Sequence, residues 1–376
     1  MREIGIGVIG AGMMGKTHSY AYRNLPLYYP DLPFRARLVG ICSAHPANAA
    51  KLRADLGYVF ATDDYHEILN CPDIDAVSIC TPNNRHLEMI LAAIQAGKHI
   101  YCEKPLVVNA AQADIVLQAL DGHPLVNQVV FHLRFYPATL RARQLIDEGR
   151  IGRILSFRAA FLHAGSVDPG RRVGWKQEQA AGGGVLLDLG SHVLDLMRWL
   201  IGDYHRLLAK TSIVYPLRPG VDGRPVEIKA EDSVLILAQM KNGSLGTLEA
   251  TKVATGYQDD LRFEIHGDRG ALRFSLMDPD WLEFYDNTLP EEPLGGCRGF
   301  TRIECVGRYA EPSGGFPSVK SGVGWLRGHV HCLYSFLACI AENKPAAPSF
   351  ADGAYIQKIM SCAYDSDRLN RWVDCG

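Results

Sequence analysis

Ile4-Gly5-Ile6-Gly7-Val8-Ile9-Gly10-Ala11-Gly12-Met13-Met14-Gly15 is the stretch whose reading decides the fold. Ile4, Ile6 and Val8 alternate with glycine, the period-two pattern of a strand. Gly10, Gly12 and Gly15 then fall at GxGxxG spacing, and a helical pattern runs from Met13 to about Arg23. Alone that spacing is weak. Directly after a strand and at the opening of a helix, it is the fingerprint of a turn that holds a dinucleotide pyrophosphate. Gly10 permits the tight turn, Gly12 lets the backbone approach the phosphates, and Gly15 lets helix and strand pack closely. Met13 and Met14 open the helix, whose amides and dipole favour the anion. A packing loop without a ligand is the bland alternative, and it does not call for the complete set.

Working outward, strand and helix patterns alternate. Strands are expected near Arg37–Cys42, Tyr58–Ala61, Asp75–Cys80, His99–Glu103 and Leu125–Phe131. Helices are expected near Ala47–Leu56, Arg85–Ala96 and Ala110–Leu120, with Asp63 or Asp64 and Asn109 as caps and Gly97 as a helix end. Pro26, Pro30 and Pro33 read as a loop after the first helix. Such alternation calls for an α/β fold with a doubly wound parallel sheet, ending near residue 130. Beyond it a helix (Ala138–Glu148) and a long strand (Ile154–Leu162) lead through a Gly- and Arg-rich loop to a helix over Val185–Ile201. Strand patterns follow near Leu207–Val214, Ser233–Met240, Ser244–Lys252, Leu261–His266 and Ala271–Phe274, joined by hairpin-like turns. Pro290–Gly324 reads as loop, and helices near Gly328–Glu342 and Asp352–Arg371 close the chain. The expected domains are therefore 1–130, a Rossmann-type unit, and 131–376, an α+β unit with a mainly antiparallel sheet.

Lys and Arg total 39 against 41 Asp and Glu, a net charge of −2. No basic excess points to nucleic acid. The ten cysteines contain no CxxC pair, and no Cys/His cluster has ligand spacing, so neither a disulfide framework nor a metal is expected. No stretch approaches a membrane span or a continuous signal-peptide core, which makes the cytoplasm the expected location.

Two further clusters carry chemistry. Glu103-Lys104-Pro105 ends the fifth strand, where open α/β sheets bind ligands, and Thr81-Pro82-Asn83 ends its neighbour, with His86 just beyond. The second cluster is Gly182-Gly183-Gly184-Val185-Leu186-Leu187-Asp188-Leu189-Gly190-Ser191-His192. On a helix Asp188 and His192, four apart, share one face. A carboxylate beside an imidazole fixes its tautomer and raises its basicity, giving a proton acceptor for neutral pH. A buried Asp–His tie between helix and sheet is the alternative for that pair taken alone. Trp175, Lys176 and Gln177 in the loop before it suit sugar faces and hydroxyls, and Tyr136 and His163 are candidates of the same kind. The acid expected after the second strand, to hold a ribose 2′-hydroxyl, is absent: Cys42-Ser43-Ala44-His45 stands there. Ser43 and backbone groups suit NAD, while Lys51 or Arg53 could reach the phosphate of NADP.

With these segments together, the chain resembles the glucose–fructose oxidoreductase and inositol dehydrogenase family, Gfo/Idh/MocA. The resemblance spans nearly the whole chain and rests on GAGMMG at 10–15, CTPNNRH at 80–86, GKHIYCEKP at 97–105 and GGGVLLDLGSH at 182–192. It implies catalytic roles for Lys104, Asp188 and His192. It also implies a large open sheet in the second domain and a homodimer or homotetramer formed across it. GKTHSYAYRNLPLYYP at 15–30 and IGRILSFRAAFLHAGSVDP at 151–169 resemble the branch that oxidises an anhydrosugar with NAD, although His132 and the loop 170–181 depart from it. The implied activity is hydride transfer between NAD(P) and a ring hydroxyl carbon of a sugar, anhydrosugar or cyclitol. The cofactor is expected at Gly10, Gly12, Met13, Met14, Gly15, Ser43, Thr81, Pro82, Asn83, His86, Glu103 and Lys104. The substrate is expected at Lys104, Tyr136, His163, Trp175, Lys176, Gln177, Asp188 and His192. Two other readings stay open at this point: an NAD-dependent glycoside hydrolase working by transient oxidation, and a non-catalytic NAD-binding regulator.

Overall fold

A computed structural model describes residues 2–313 and 315–376. Contacts divide the chain into two compact units. The first is Met1–Phe135, Tyr309–Val319 and Gly324–Gln357; the second is Tyr136–Arg308, Lys320–Val323 and Lys358–Gly376. In packing terms the chain thus does not separate at a single point, because late segments return to the first unit.

The first unit alternates β1 (Arg2–Ile9), α1 (Met13–Tyr28), β2 (Phe34–Cys42), α2 (Pro46–Leu56), β3 (Phe60–Thr62), α3 (Tyr65–Asn70), β4 (Ala76–Ile79), α4 (His86–Gln95), β5 (His99–Cys102), α5 (Ala110–Leu120) and β6 (Asn127–Val129). Its six strands lie in the order β3-β2-β1-β4-β5-β6, all parallel. The chain winds outward from β1 to β3 and then crosses to β4 on the other side of β1. That reversal opens a crevice at the carboxyl ends of β1 and β4. Ile4, Ile6, Val8, Val77, Ile79 and Ile100 are fully buried, as strands covered on both faces require.

Pro26 does not end the first helix, as the proline pattern suggested. α1 runs on to Tyr28 with Pro26 inside it. The reason is tertiary. Tyr22, Leu25 and Tyr29 are buried in the cluster that also takes Val330, Leu333, Phe336, Leu337 and Ile340 of α8 (Trp325–Glu342). Those α8 positions form one helical stripe, and Tyr29 stacks on Tyr334 with ring centroids 4.0 Å apart. Burial of this kind outweighs the lost hydrogen bond of one proline near a helix end.

The second unit holds α6 (Pro137–Asp147), β7 (Ile154–Leu162), α7 (Ser191–Ile201), β8 (Tyr204–Ser212), a small ribbon of β9 (Leu217–Pro219) with β10 (Pro225–Glu227), β11 (Ser233–Met240), β12 (Leu245–Thr251), β13 (Asp260–Gly267), β14 (Gly270–Ser275), β15 (Trp281–Asp286) and β16 (Phe300–Glu304). α9 (Phe350–Leu369) begins in the first unit and ends in the second, ahead of β17 (Val373–Asp374). Nine strands form one sheet, β16-β15-β14-β13-β7-β12-β11-β8-β17, antiparallel except for β7 with β12. β16 lies inside the stretch read as loop. It is an edge strand among glycines and prolines, too short and too exposed to show an alternating pattern. In β11, Val234, Ile236, Ala238 and Met240 are buried while Leu235 and Leu237 are exposed. α6 and α7 pack on the sheet, and the alternation leaves its other face open.

His331 lies half-buried in α8, hydrogen-bonded to the Tyr29 hydroxyl, which Arg327 also reaches at 2.9 Å. Burial, then the nearby Arg327 charge, pushes its pKa down to about 3. The unfolded chain takes up this proton near pH ~6.5, so the neutral ring's contribution to stability is complete above that pH and is lost as pH falls toward about 3. His331→Gln is expected to flatten this dependence. Between pH ~7.5 and ~5 the wild type should lose about 2 kcal/mol more unfolding free energy than the variant, measured by denaturant titration at each pH. Equal losses would contradict the assignment.

Candidate active site

In the first unit, the turn after β1 is shaped by contacts that leave no room for side chains. Gly10 has φ +109°, and a Cβ on it would lie 2.5 Å from the Cys80 carbonyl oxygen. A Cβ on Gly15 would lie 1.8 Å from the Gly10 carbonyl oxygen. Gly12 is different: nothing lies within 4 Å of the position its Cβ would take. Gly12 is also the N-cap of α1, with no side-chain cap and no acid in the first turn. Helices normally satisfy these amides with Ser, Thr, Asp or Asn. Here they remain open beside free space, with the positive end of the helix dipole behind them, which fits a pyrophosphate. Met13, next to them, is exposed.

At the end of β4, Asn83 is buried and the Thr81 hydroxyl donates to the Met89 sulfur at 3.5 Å. His86 is buried too, and its ring nitrogens are aimed at backbone carbonyls: Nε2 at Thr81 (3.0 Å), Nδ1 at Pro105 (3.0 Å) and Leu106 (3.3 Å). Burial lowers its pKa against the opposing pull of those carbonyls. His86 thus braces the turn after β4 against the turn after β5. Pro82 stands at the start of the short 3-10 turn Asn83–Arg85.

Glu103, one residue past β5, is buried. Its Oε1 pairs with His18 Nε2 at 3.0 Å, and its Oε2 accepts the Lys104 backbone N–H at 3.2 Å. His18 Nδ1 lies 3.2 Å from the Cys80 thiol, whose pKa burial raises well above the usual range. A consistent proton pattern has Cys80 donating to Nδ1 and Nε2–H donating to Glu103. A chain of contacts from β4 through α1 therefore fixes the backbone turn that carries Lys104. His329 completes a buried group with His18 and Glu103, their polar atoms within 4.8 Å of one another. Sequence spacing did not reveal this set. His18 and Glu103 bond each other, and burial, followed by the neighbouring His132, His18 and Lys104, holds the His329 pKa well below the usual value.

In the second unit, the helix expected over Val185–Ile201 is not α throughout. Leu186–Gly190 is a π turn, and α7 begins at Ser191. The wider turn changes the angle between Asp188 and His192 from that of an α-helix, and such turns recur at functional sites. Glu231 holds it in place. Its Oε1 accepts the Leu186 N–H at 2.9 Å and the Tyr364 hydroxyl at 3.0 Å, while its backbone carbonyl accepts the Val185 N–H at 2.9 Å. Gly184, at φ +119°, has no room for a Cβ beside that carboxylate.

Asp188 is gripped by two ammonium groups. Lys176 Nζ lies 2.9 Å from Oδ2 and 3.2 Å from Oδ1, and Lys252 Nζ lies 3.1 Å from Oδ2. Lys252, just past β12, is buried. Neither Lys252 nor Glu231 was foreseen from the sequence, since each arrives from a distant strand end with no local motif around it. His192 is buried in the first turn of α7, its ring 5.9 Å from Phe161. His163 follows β7; burial comes first among the causes that lower its pKa, and its Nδ1 accepts the Gly165 N–H at 2.7 Å. Tyr136 is buried, its pKa pushed up by burial and by Asp259. Trp175 is partly exposed with Lys176 Nζ 5.7 Å from its ring, and Gln177 Oε1 accepts the Gly174 N–H at 3.0 Å.

Residues 4–131 match the oxidoreductase family with an NAD-binding Rossmann fold, and residues 139–273 match the GFO/IDH/MocA C-terminal domain. The chain is 34% identical over 391 residues to a levoglucosan dehydrogenase of Pseudarthrobacter phenanthrenivorans, covering 100% of this chain and 98% of that one. The chain belongs to the Gfo/Idh/MocA family of oxidoreductases. Among Gfo/Idh/MocA relatives, it is also 28% identical to an inositol 2-dehydrogenase of Rhizobium meliloti, over 98% of both chains. A solved levoglucosan dehydrogenase in complex with NADH superposes with a TM-score of 0.93 at 32% identity, covering 100% of both chains. The same enzyme in complex with NADH and levoglucosan gives 0.92. As a Gfo/Idh/MocA oxidoreductase, the chain uses its first unit as an NAD-binding Rossmann domain, and the open Gly12 turn fits that cofactor.

Two substitutions separate the fold's demands from the ligand's. Gly12→Ala should change unfolding free energy by less than about 1 kcal/mol, since its Cβ meets nothing, yet weaken NADH binding at least ~10-fold by standing where the phosphates approach. Gly15→Ala should instead fail to fold or lose several degrees of thermal midpoint. Thermal melts and fluorescence titration with NADH read both. Normal NADH affinity in Gly12→Ala would contradict the cradle.

Proposed function

We propose that this chain is an NAD-dependent dehydrogenase that oxidises a ring hydroxyl of a sugar, anhydrosugar or cyclitol. The observation that carries the reading is the full-length likeness to a levoglucosan dehydrogenase in a chain that retains Lys104, Asp188 and His192 in their motifs. Bound NAD supplies the acceptor for the hydride that leaves the carbinol carbon. His192 takes the hydroxyl proton. Lys104 donates a hydrogen bond to the alcohol oxygen as negative charge develops on it, a contact worth about 3 kcal/mol in comparable oxyanion sites. Asp188 supplies the carboxylate of this group, and its ion pairs with Lys176 and Lys252 hold it in place. Lys176 and Trp175 present an amine and an aromatic face to the sugar, the usual furniture of such sites. His163, Tyr136 and Gln177 complete the proposed substrate wall. Ser43, Thr81, Pro82, Asn83 and Glu103 line or support the cofactor, with His86 as their brace.

We also propose that the unit beginning near residue 131 binds substrate and joins copies of the chain through the open face of its sheet. Leu235 and Leu237 stand 57% and 42% exposed there among Arg158, Arg262, Arg273 and Glu264, an unusual apolar exposure for a central strand. A cytoplasmic location accords with ten free cysteines. No helix among the described residues is long and apolar enough to cross a membrane.

The test is a panel of anhydrosugars, monosaccharides, glycosides and inositols with NAD, followed by reduced-cofactor absorbance. At least one should support turnover. His192→Ala and Lys104→Met should each lower kcat by about 100-fold or more. Sugar release without reduced cofactor would favour hydrolysis, and near-normal turnover in both variants would overturn the residue roles. Sedimentation equilibrium of the same preparation should give more than one protomer; a monomer would overturn the assembly.

A further inference from the structure

The corner after β2 lacks the acid that usually reads the adenosine ribose, and the sheet order brings another acid to it. We propose that Asp63, at the carboxyl end of β3, replaces that acid and makes the adenosine end of the cofactor site select NAD over its 2′-phosphorylated form. The proposal rests on NAD binding at the Gly12 turn, and it is independent of the residues proposed for proton transfer.

Three chain ends stand in a row here. The Gly10 N–H donates to the Cys42 carbonyl at 2.9 Å, and the Ser43 N–H donates to the Thr62 carbonyl at 3.1 Å. Cys42 and Thr62 are register partners. The glycine turn, Ser43 and Asp63 thus lie on successive strand ends, about 4.8 Å apart in the sheet. Ser43 is buried, and its Oγ accepts the His45 N–H at 3.1 Å, which leaves its O–H to donate. Asp64 is spent on the helix: its Oδ1 caps α3 by accepting the His66 N–H at 2.9 Å. Asp63 is exposed, and among the described residues its carboxylate has no ion pair or side-chain hydrogen bond. It is the acid available to accept from a ribose hydroxyl.

The local charge points the same way. Burial, followed by the nearby carboxylates of Asp64, Asp63 and Glu67, raises the Cys42 thiol to about 12, so those three acids lie close to the end of β2. The opposing feature is the amino end of α2, worth about half a positive charge. Pro46 at its start removes one of the amides. Lys51 is paired with Asp55 at 2.7 Å, and Arg53 lies in the last turn, far from the helix start. Three carboxylates against half a charge repel a phosphate group that carries between one and two negative charges at neutral pH. A ribose diol, by contrast, is neutral and finds an acceptor in Asp63 and a donor in Ser43.

Titrate the full-length protein with NADH and, separately, NADPH, following nucleotide fluorescence and heat. The wild type should bind NADH at least ~30-fold more tightly, and the gap should narrow at ~0.5 M salt. Asp63→Asn should raise NADPH affinity at least ~5-fold, and Asp63→Ser should do the same, while Asp31→Asn, at the opposite end of β2, should not. Thermal midpoints of the variants confirm that each is folded. NADPH affinity unchanged in both Asp63 variants, or equal wild-type affinity for the two nucleotides, overturns the proposal. A wild type that binds neither nucleotide overturns the cofactor reading, and this one with it.

Discussion

The amino end of α1 is the constraint on which the rest depends. Its first amides have no side-chain cap, and the space in front of Gly12 is open. In a folded protein such amides must be satisfied by water or by a ligand. Two neighbouring glycines are required for reasons internal to the fold, because the Cys80 and Gly10 carbonyls leave no room at Gly10 and Gly15. The third glycine is required by nothing in the protein. That difference distinguishes a cradle from a packing loop. The doubly wound sheet then gathers the ends of β1, β2, β4 and β5 around it, so that Ser43, Thr81 and the Glu103–Lys104 turn come from separate strands yet share one crevice in the first unit.

The second unit meets a different demand with a different device. A carboxylate and an imidazole must be held on one short stretch, and a π turn does so only when something secures its loose start. Glu231 fills that role through both its carboxylate and its backbone carbonyl. Lys176 and Lys252 then hold Asp188 through ion pairs, one from the loop before the turn and one from the end of β12. The wide turn, its clamp and its ion pairs act as one assembly, and altering any of them would be felt at Asp188.

Much of this was legible in the sequence, for physical reasons. The alternation of Ile4, Ile6 and Val8 and the glycine spacing are local signals, and β1, the turn after it and the start of α1 stand where those signals put them. α5 with its Asn109 cap and β7 over Ile154–Leu162 match their patterns to the residue. What escaped was long-range. α1 runs past Pro26 because α8, some three hundred residues away, covers its end. The π turn escaped because apolar residues at Leu186, Leu187 and Leu189 suit an α-helix equally well. Lys252 and Glu231 escaped because a lone charge at a strand end carries no motif. Asp63 stood in view only as a possible helix cap; its place beside Ser43 follows from strand order, which periodicity does not encode.

The central claim is that a dinucleotide's pyrophosphate lies on the open end of α1. A crystal structure of the protein with NADH tests it most directly. The account predicts pyrophosphate oxygens within about 3 Å of the backbone nitrogens of Met13 or Met14, with the nicotinamide directed toward the end of β5. Well-defined nucleotide density elsewhere, with water alone at those nitrogens, would contradict it.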